Sequence, residues 1–174
     1  EMPVFSLDDI LSGHVDHVQE VLKQVKPLKY FASYLKSGYY PFFLEVPELY
    51  FHRLDEIINL ILENELPLLR NVELANVPKL KLLLKILAES APFVPNIVKL
   101  SERSGLTRNT VISYLGYFEE AHLGKNLYKN AKGITRLQKP DKIYLENTNL
   151  MHALSPQGVN SVNLRETFFV NQLS

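Results

Sequence analysis

The sequence predicts a mainly α-helical fold: a helical bundle followed by a winged helix-turn-helix with a small β-hairpin wing. Three observations carry it. Apolar residues recur at helical spacing between prolines along most of the chain. "SGLT", Ser104–Thr107, separates two short amphipathic segments with a glycine and a capping residue. After these, two short runs of strand-forming residues flank a lysine-rich stretch.

The first half divides at its prolines and caps. "SLDD", Ser6–Asp9, has capping-box spacing, and Val18, Val21, Leu22 and Val25 form the inner face of a helix that Pro27 stops. Pro27 opens the next helix, with Leu28, Phe31, Tyr34 and Leu35 as its buried stripe and Gly38 as its left-handed end. "GYYPFF", Gly38–Phe43, is the most aromatic stretch and reads as a core plug. Pro47 starts a longer helix facing inward through Leu54, Ile57, Ile58, Ile61 and Leu62, expected to end near Pro67. Asn76 and Pro78 begin another, with Leu80, Leu83, Leu84 and Leu87 inside.

That last helix, over 78–89, is the first of three; the others span 96–103 and 107–120. Asn96 caps the second, which turns Ile97 and Leu100 inward. Gly105 supplies the positive φ of the turn, Leu106 plugs the core and Thr107 caps the third helix. There Val111, Tyr114, Leu115 and Phe118 make the apolar stripe. Leu127–Tyr128 and Ile143–Leu145 are the expected strands of the wing. Between and beside them stand Lys129, Lys132, Arg136, Lys139 and Lys142, opposed only by Asp141.

These elements define a candidate DNA-binding surface. Side chains at the start of a recognition helix reach base edges. Here those are Thr107, Arg108, Asn109 and Thr110, with Ser113 and Tyr117 farther along. Arginine pairs with guanine and asparagine with adenine, and the wing cations neutralise phosphates. Glu120 and Gly116 on the same face oppose that reading: one repels phosphate, the other weakens the helix by about 1 kcal/mol. They favour a winged helix that holds protein partners instead.

Composition sets outer limits. The 174 residues are 46% hydrophobic and 22% charged, with no cysteine, so disulfides and thiolate metal sites are excluded. The zero net charge hides a split: residues 1–76 carry 6 Lys/Arg against 12 Asp/Glu, residues 77–145 carry 12 against 5. The basic part suits a polyanion or the chain's own acidic part. No apolar run approaches membrane length, and the acidic start lacks a signal-peptide n-region. The expected location is cytoplasmic. His14 and His17, in "HVDH", are two ligand types at i, i+3 without further partners, and read as a surface turn. His122 reads as partly buried structure. No nucleophile elbow, metal cluster or other catalytic motif occurs.

"FASYLKSGYYPFF", "SGLTRNTVISYLGYFEEAHL", "KPDKIYLENTNL" and "NLRETFFVNQL" together resemble the C-terminal portion of a group of prokaryotic AAA-type P-loop ATPases. The resemblance covers the chain from about Phe31 onward. It implies an ATPase-lid-like helical domain over 1–76, a winged helix over 77–146, and the start of a truncated nuclease-like segment over 147–174. Tyr39 replaces the second glycine of that group's lid motif, and "NEL", Asn64–Leu66, replaces an expected acidic residue. No G-x-x-x-x-G-K-[ST] is present, so ATP and magnesium would belong to a nucleotide core outside this chain, which carries no cofactor and hydrolyses no ATP alone. Arg70, Arg103 and Arg108 are the arginines a neighbouring ATPase site would draw on. Glu166 matches the group's nuclease-segment glutamate but lacks companion carboxylates, and reads as a solvated helix residue.

The functional expectation is a non-catalytic fragment whose winged helix binds double-stranded DNA. The alternatives are an assembly module, with self-association or an ATPase core as partner, and a stand-alone transcription regulator. No membrane partner is expected.

Overall fold

The computed structural model describes residues 4–90, 94–129, 139–155 and 158–173. Among them the chain is mainly helical with one small antiparallel sheet. The order is α1 (Leu7–Gln24), α2 (Pro27–Ser37), α3 (Tyr50–Leu60), α4 (Leu66–Arg70), α5 (Val77–Ser90), α6 (Ile97–Ser104), α7 (Arg108–Glu120), β1 (Gly124–Leu127), β2 (Lys142–Leu145), α8 (Thr148–Leu154) and α9 (Ser161–Gln172). No helix among the described residues is long and apolar enough to cross a membrane.

The capping box of α1 forms as its spacing predicts: the Asp9 N–H donates to Ser6 Oγ at 3.2 Å, and the Ser6 N–H to Asp9 Oδ2 at 2.9 Å. Its apolar stripe does not reach a core. No residue of α1 is buried, Leu11 is 73% exposed, and Gly13 leaves helical geometry (φ −149°, ψ 31°) to kink the helix. Amphipathic spacing specifies a face but not what covers it. In α2 the same correction applies to Leu28, which stands in solvent.

The helix expected to stop near Pro67 continues past it. Ile61–Glu65 forms a π-helical turn between α3 and α4, and the run ends at Arg70, where Asn71 takes a left-handed φ of 52°. Proline lacks the N–H and crowds the carbonyl one turn back; a widened turn immediately upstream accommodates both. Ile57, expected inside, is exposed.

The core is one continuous apolar cluster running from Tyr50 through α5 to Leu150 and Met151. In α5, Leu80, Leu83, Leu84 and Leu87 are wholly buried, each contributing roughly 1.5–3 kcal/mol. Tyr40, Phe42 and Phe43 pack on this cluster, so the aromatic stretch does plug it, although Tyr39 faces outward. Helix α8 rests on α2, α3 and α5 alike, tying late sequence to early.

A polar knot fastens that junction. The Tyr50 hydroxyl donates to the Ser37 carbonyl, and Asn149 Nδ2 donates to Tyr50 Oη at 2.7 Å. Gly38 turns the chain here with φ 68°. A Cβ on it would collide with the Asn147 carboxamide and lie 2.8 Å from Asn149 Nδ2. Only glycine fits both the dihedral and the space.

In the sheet, Gly124 faces Leu145 and Leu127 faces Lys142. The first strand therefore begins earlier than Leu127–Tyr128 suggested, and Tyr128 lies beyond it. Phe168 of α9 meets the rings of Phe31 and Tyr34 edge-on at 5.1 and 5.8 Å. Phe169 remains exposed.

Candidate nucleic-acid interface

The three segments expected around the turn are α5, α6 and α7, in that order and near the expected ends. The Asn96 side chain caps α6 by accepting the Lys99 N–H at 3.1 Å. Gly105 closes α6 with φ 68°, ψ 24°, and Leu106 is buried behind it. Thr107 Oγ1 accepts the Thr110 N–H at 3.2 Å and shares a 2.8 Å bond with Thr110 Oγ1. Val111, Tyr114, Leu115 and Phe118 are all buried, which turns the opposite face of α7 outward.

On that face Asn109 and Ser113 are exposed, Thr110 and Tyr117 half-buried. All four line a groove of about 330 Å³ whose far wall is the 70–76 segment, with Arg70, Glu73 and Asn76. Arg108 is exposed outside that groove and has no ion-pair partner among the described residues. Arg70 reaches across to α7. Its guanidinium pairs with Glu120 and lies 5.8 Å from the Tyr117 ring centroid. Tyr114, on the buried side, has its hydroxyl pKa raised, first by burial and then by the charge of Glu73. A second hollow opens on the other flank of α7, between Gly116, Glu119, Glu120 and Tyr128.

The hairpin is pinned to α7 by Asn126, a buried side chain that donates to the Leu115 carbonyl at 2.9 Å and to Glu119 Oε2 at 3.1 Å. Its cations divide. Lys129 is exposed, with Nζ 3.8 Å from Asp141. Lys139 is exposed. Lys142 is bound to Glu166 at 2.9 Å, and the same carboxylate accepts from Tyr144 Oη at 2.8 Å. Those two bonds hold the Glu166 carboxyl below its ordinary pKa. Glu166 is thus a clasp between α9 and β2, not the solvated residue expected. Lys132 and Arg136 lie outside the described residues.

His122, expected partly buried, is 83% exposed at a left-handed φ of 52°. It ends α7 on the solvent side while Leu123 turns in. On α1, His14 is exposed and His17 lies against the Phe5 ring at 4.2 Å. Among the described residues no group of three or more His, Asp or Glu is placed to hold a metal.

Sequence reasoning missed the far wall of this surface, with Arg70, Glu73 and Asn76. None of the three carries a local signal, since the α7 residues that share the groove lie far along the chain.

A family model described as "Domain of unknown function (DUF8612)" matches residues 28–161. No curated protein and no solved structure gives a significant match.

Proposed function

The chain belongs to the DUF8612 domain family, and for it we propose that α5, α6, α7 and the hairpin form a winged helix that docks on double-stranded DNA. The observation that carries this is the outward face of α7. Arg108, Asn109 and Ser113 stand exposed on a helix whose opposite side is locked in the core. Arg108 and Asn109 have the chemistry to read guanine and adenine. Lys129 and Lys139 at the hairpin base supply phosphate contacts. In this reading the chain is the non-catalytic part of an AAA-type ATPase and transmits DNA contact to a nucleotide core elsewhere. ATP and magnesium belong to that core.

Anisotropy titration with a labelled duplex tests it. Binding should weaken steeply with salt, with log K falling by about 0.9 per phosphate neutralised. Arg108→Ala should cost roughly 1–3 kcal/mol and relax preference at one base pair, while Lys139→Ala should weaken all sequences alike and flatten the salt slope. No binding at low salt, or binding indifferent to both changes, rejects the proposal.

A second reading has its own support. Lys129 and Lys142 are partnered within the molecule, and no residue of α1 is buried. Both fit an assembly module better than a DNA clamp. Light scattering across salt concentrations separates them: a strict monomer with tight DNA binding removes the assembly reading.

A further inference from the structure

We propose that the groove between the 70–76 segment and α7 is a phosphate subsite for a nucleic-acid strand, and that Glu120, standing beside the groove, holds its Arg70 until a phosphate displaces it. The inference rests on the DNA-docking reading and adds to it a residue from outside the helix-turn-helix, together with a gate.

Arg70 is presented rather than free. It ends α4, the chain turns sharply at Asn71, and Val72 is buried immediately after. Its planar side chain is held near the Tyr117 ring and against a carboxylate. A guanidinium fork that fits a carboxylate also fits a phosphate, because both present paired oxygens at similar spacing. Around it the groove offers neutral polar groups from Asn76, Asn109 and Ser113. The remaining acid in the wall, Glu73, takes a 3.4 Å bond from Asn76 Nδ2.

The Arg70–Glu120 pair is about half exposed at both ends, 45% and 52%. Ion pairs so placed are weak and screened by salt, so exchanging the carboxylate for a phosphate costs little. While the pair stands, its own net charge is zero and Glu73 in the same wall adds a negative charge, so this part of the surface does not attract a polyanion. Once Glu120 swings out, the Arg70 fork is open to a phosphate, against the single opposing charge of Glu73. The acidic residue that opposed DNA binding in the sequence thereby becomes a competitor that a phosphate must replace.

Duplex binding of the full chain, measured by anisotropy over a salt series, tests this with four variants. Glu120→Gln should tighten binding about 3- to 10-fold and steepen the salt slope by close to one phosphate. Glu102→Gln, the same charge change at an exposed residue of α6, should do clearly less. Arg70→Ala should weaken binding, and adding Glu120→Gln to it should then restore almost nothing. Arg70→Lys, which keeps charge without the fork, should fall between and guards against a folding artefact, with melting curves recorded for all. Equal effects of Glu120→Gln and Glu102→Gln, or a full Glu120→Gln gain in the Arg70→Ala background, overturn the gate. If Arg108→Ala and Lys139→Ala weaken binding in that same experiment, only the subsite has failed. If wild type does not bind at low salt, the DNA reading itself has failed.

Discussion

At the scale of single residues, stability concentrates where backbone and side chain leave no choice. Gly38 combines a positive φ with a Cβ direction already filled by Asn147 and Asn149. Gly38→Ala should cost about 2–4 kcal/mol, seen as a lowered denaturant midpoint with an unchanged slope. An unchanged midpoint would mean the knot at Tyr50 relaxes freely. Tyr40 gives a second test. Burial, reinforced by the neighbouring Tyr39, Tyr50 and Glu146, pushes its phenol up to about 12 from an ordinary 10.0. Above pH 10 the unfolded chain releases this proton while the folded chain keeps it, so ionisation favours unfolding. The stabilising contribution is whole below pH 10 and is lost as pH rises toward 12. Melting temperature should fall across that window, and Tyr40→Phe should make the fall shallower.

At the scale of elements, two amphipathic helices with similar sequence logic have opposite fates. Helix α5 buries Leu80, Leu83, Leu84 and Leu87 completely, whereas α1 buries no residue. Leu84→Ala should therefore cost about 2–5 kcal/mol, the usual range for a buried leucine. Leu11→Asp should change stability by less than about 0.5 kcal/mol. Urea denaturation of both, monitored by circular dichroism, decides it; a large loss for Leu11→Asp would place α1 in a packed interface. The π turn at Ile61–Glu65 is the other element-level lesson, because Pro67 by itself signals a stop. The stop is cancelled by one extra residue per turn upstream, a device with no residue signature of its own.

At the scale of the whole molecule, the helices around the turn were legible because their signals are local. Asn96, Gly105, Leu106 and Thr107 each act within a few residues of where they stand, and each does in space what its chemistry implies. The candidate site was legible only along α7. Its second wall, its Arg70–Glu120 pair and the Glu166 clasp on Lys142 join segments distant in sequence. The family match begins at residue 28, after α1, and α1 has no buried residue. Deleting residues 1–26 should accordingly leave the thermal midpoint of the remainder within a few degrees. A collapse of the cooperative transition would show that α1 supports the fold.

The sequence by itself determined which segments coil, where caps and glycine turns end them, and which residues begin α7, because those preferences are written into backbone sterics and side-chain reach over one helical turn. Only the tertiary structure decided which apolar faces are covered, which cations are answered by a carboxylate, and what stands opposite α7. Those outcomes depend on pairs of groups that chain folding brings together, and no periodicity in one segment encodes the charge or shape of the segment it will meet.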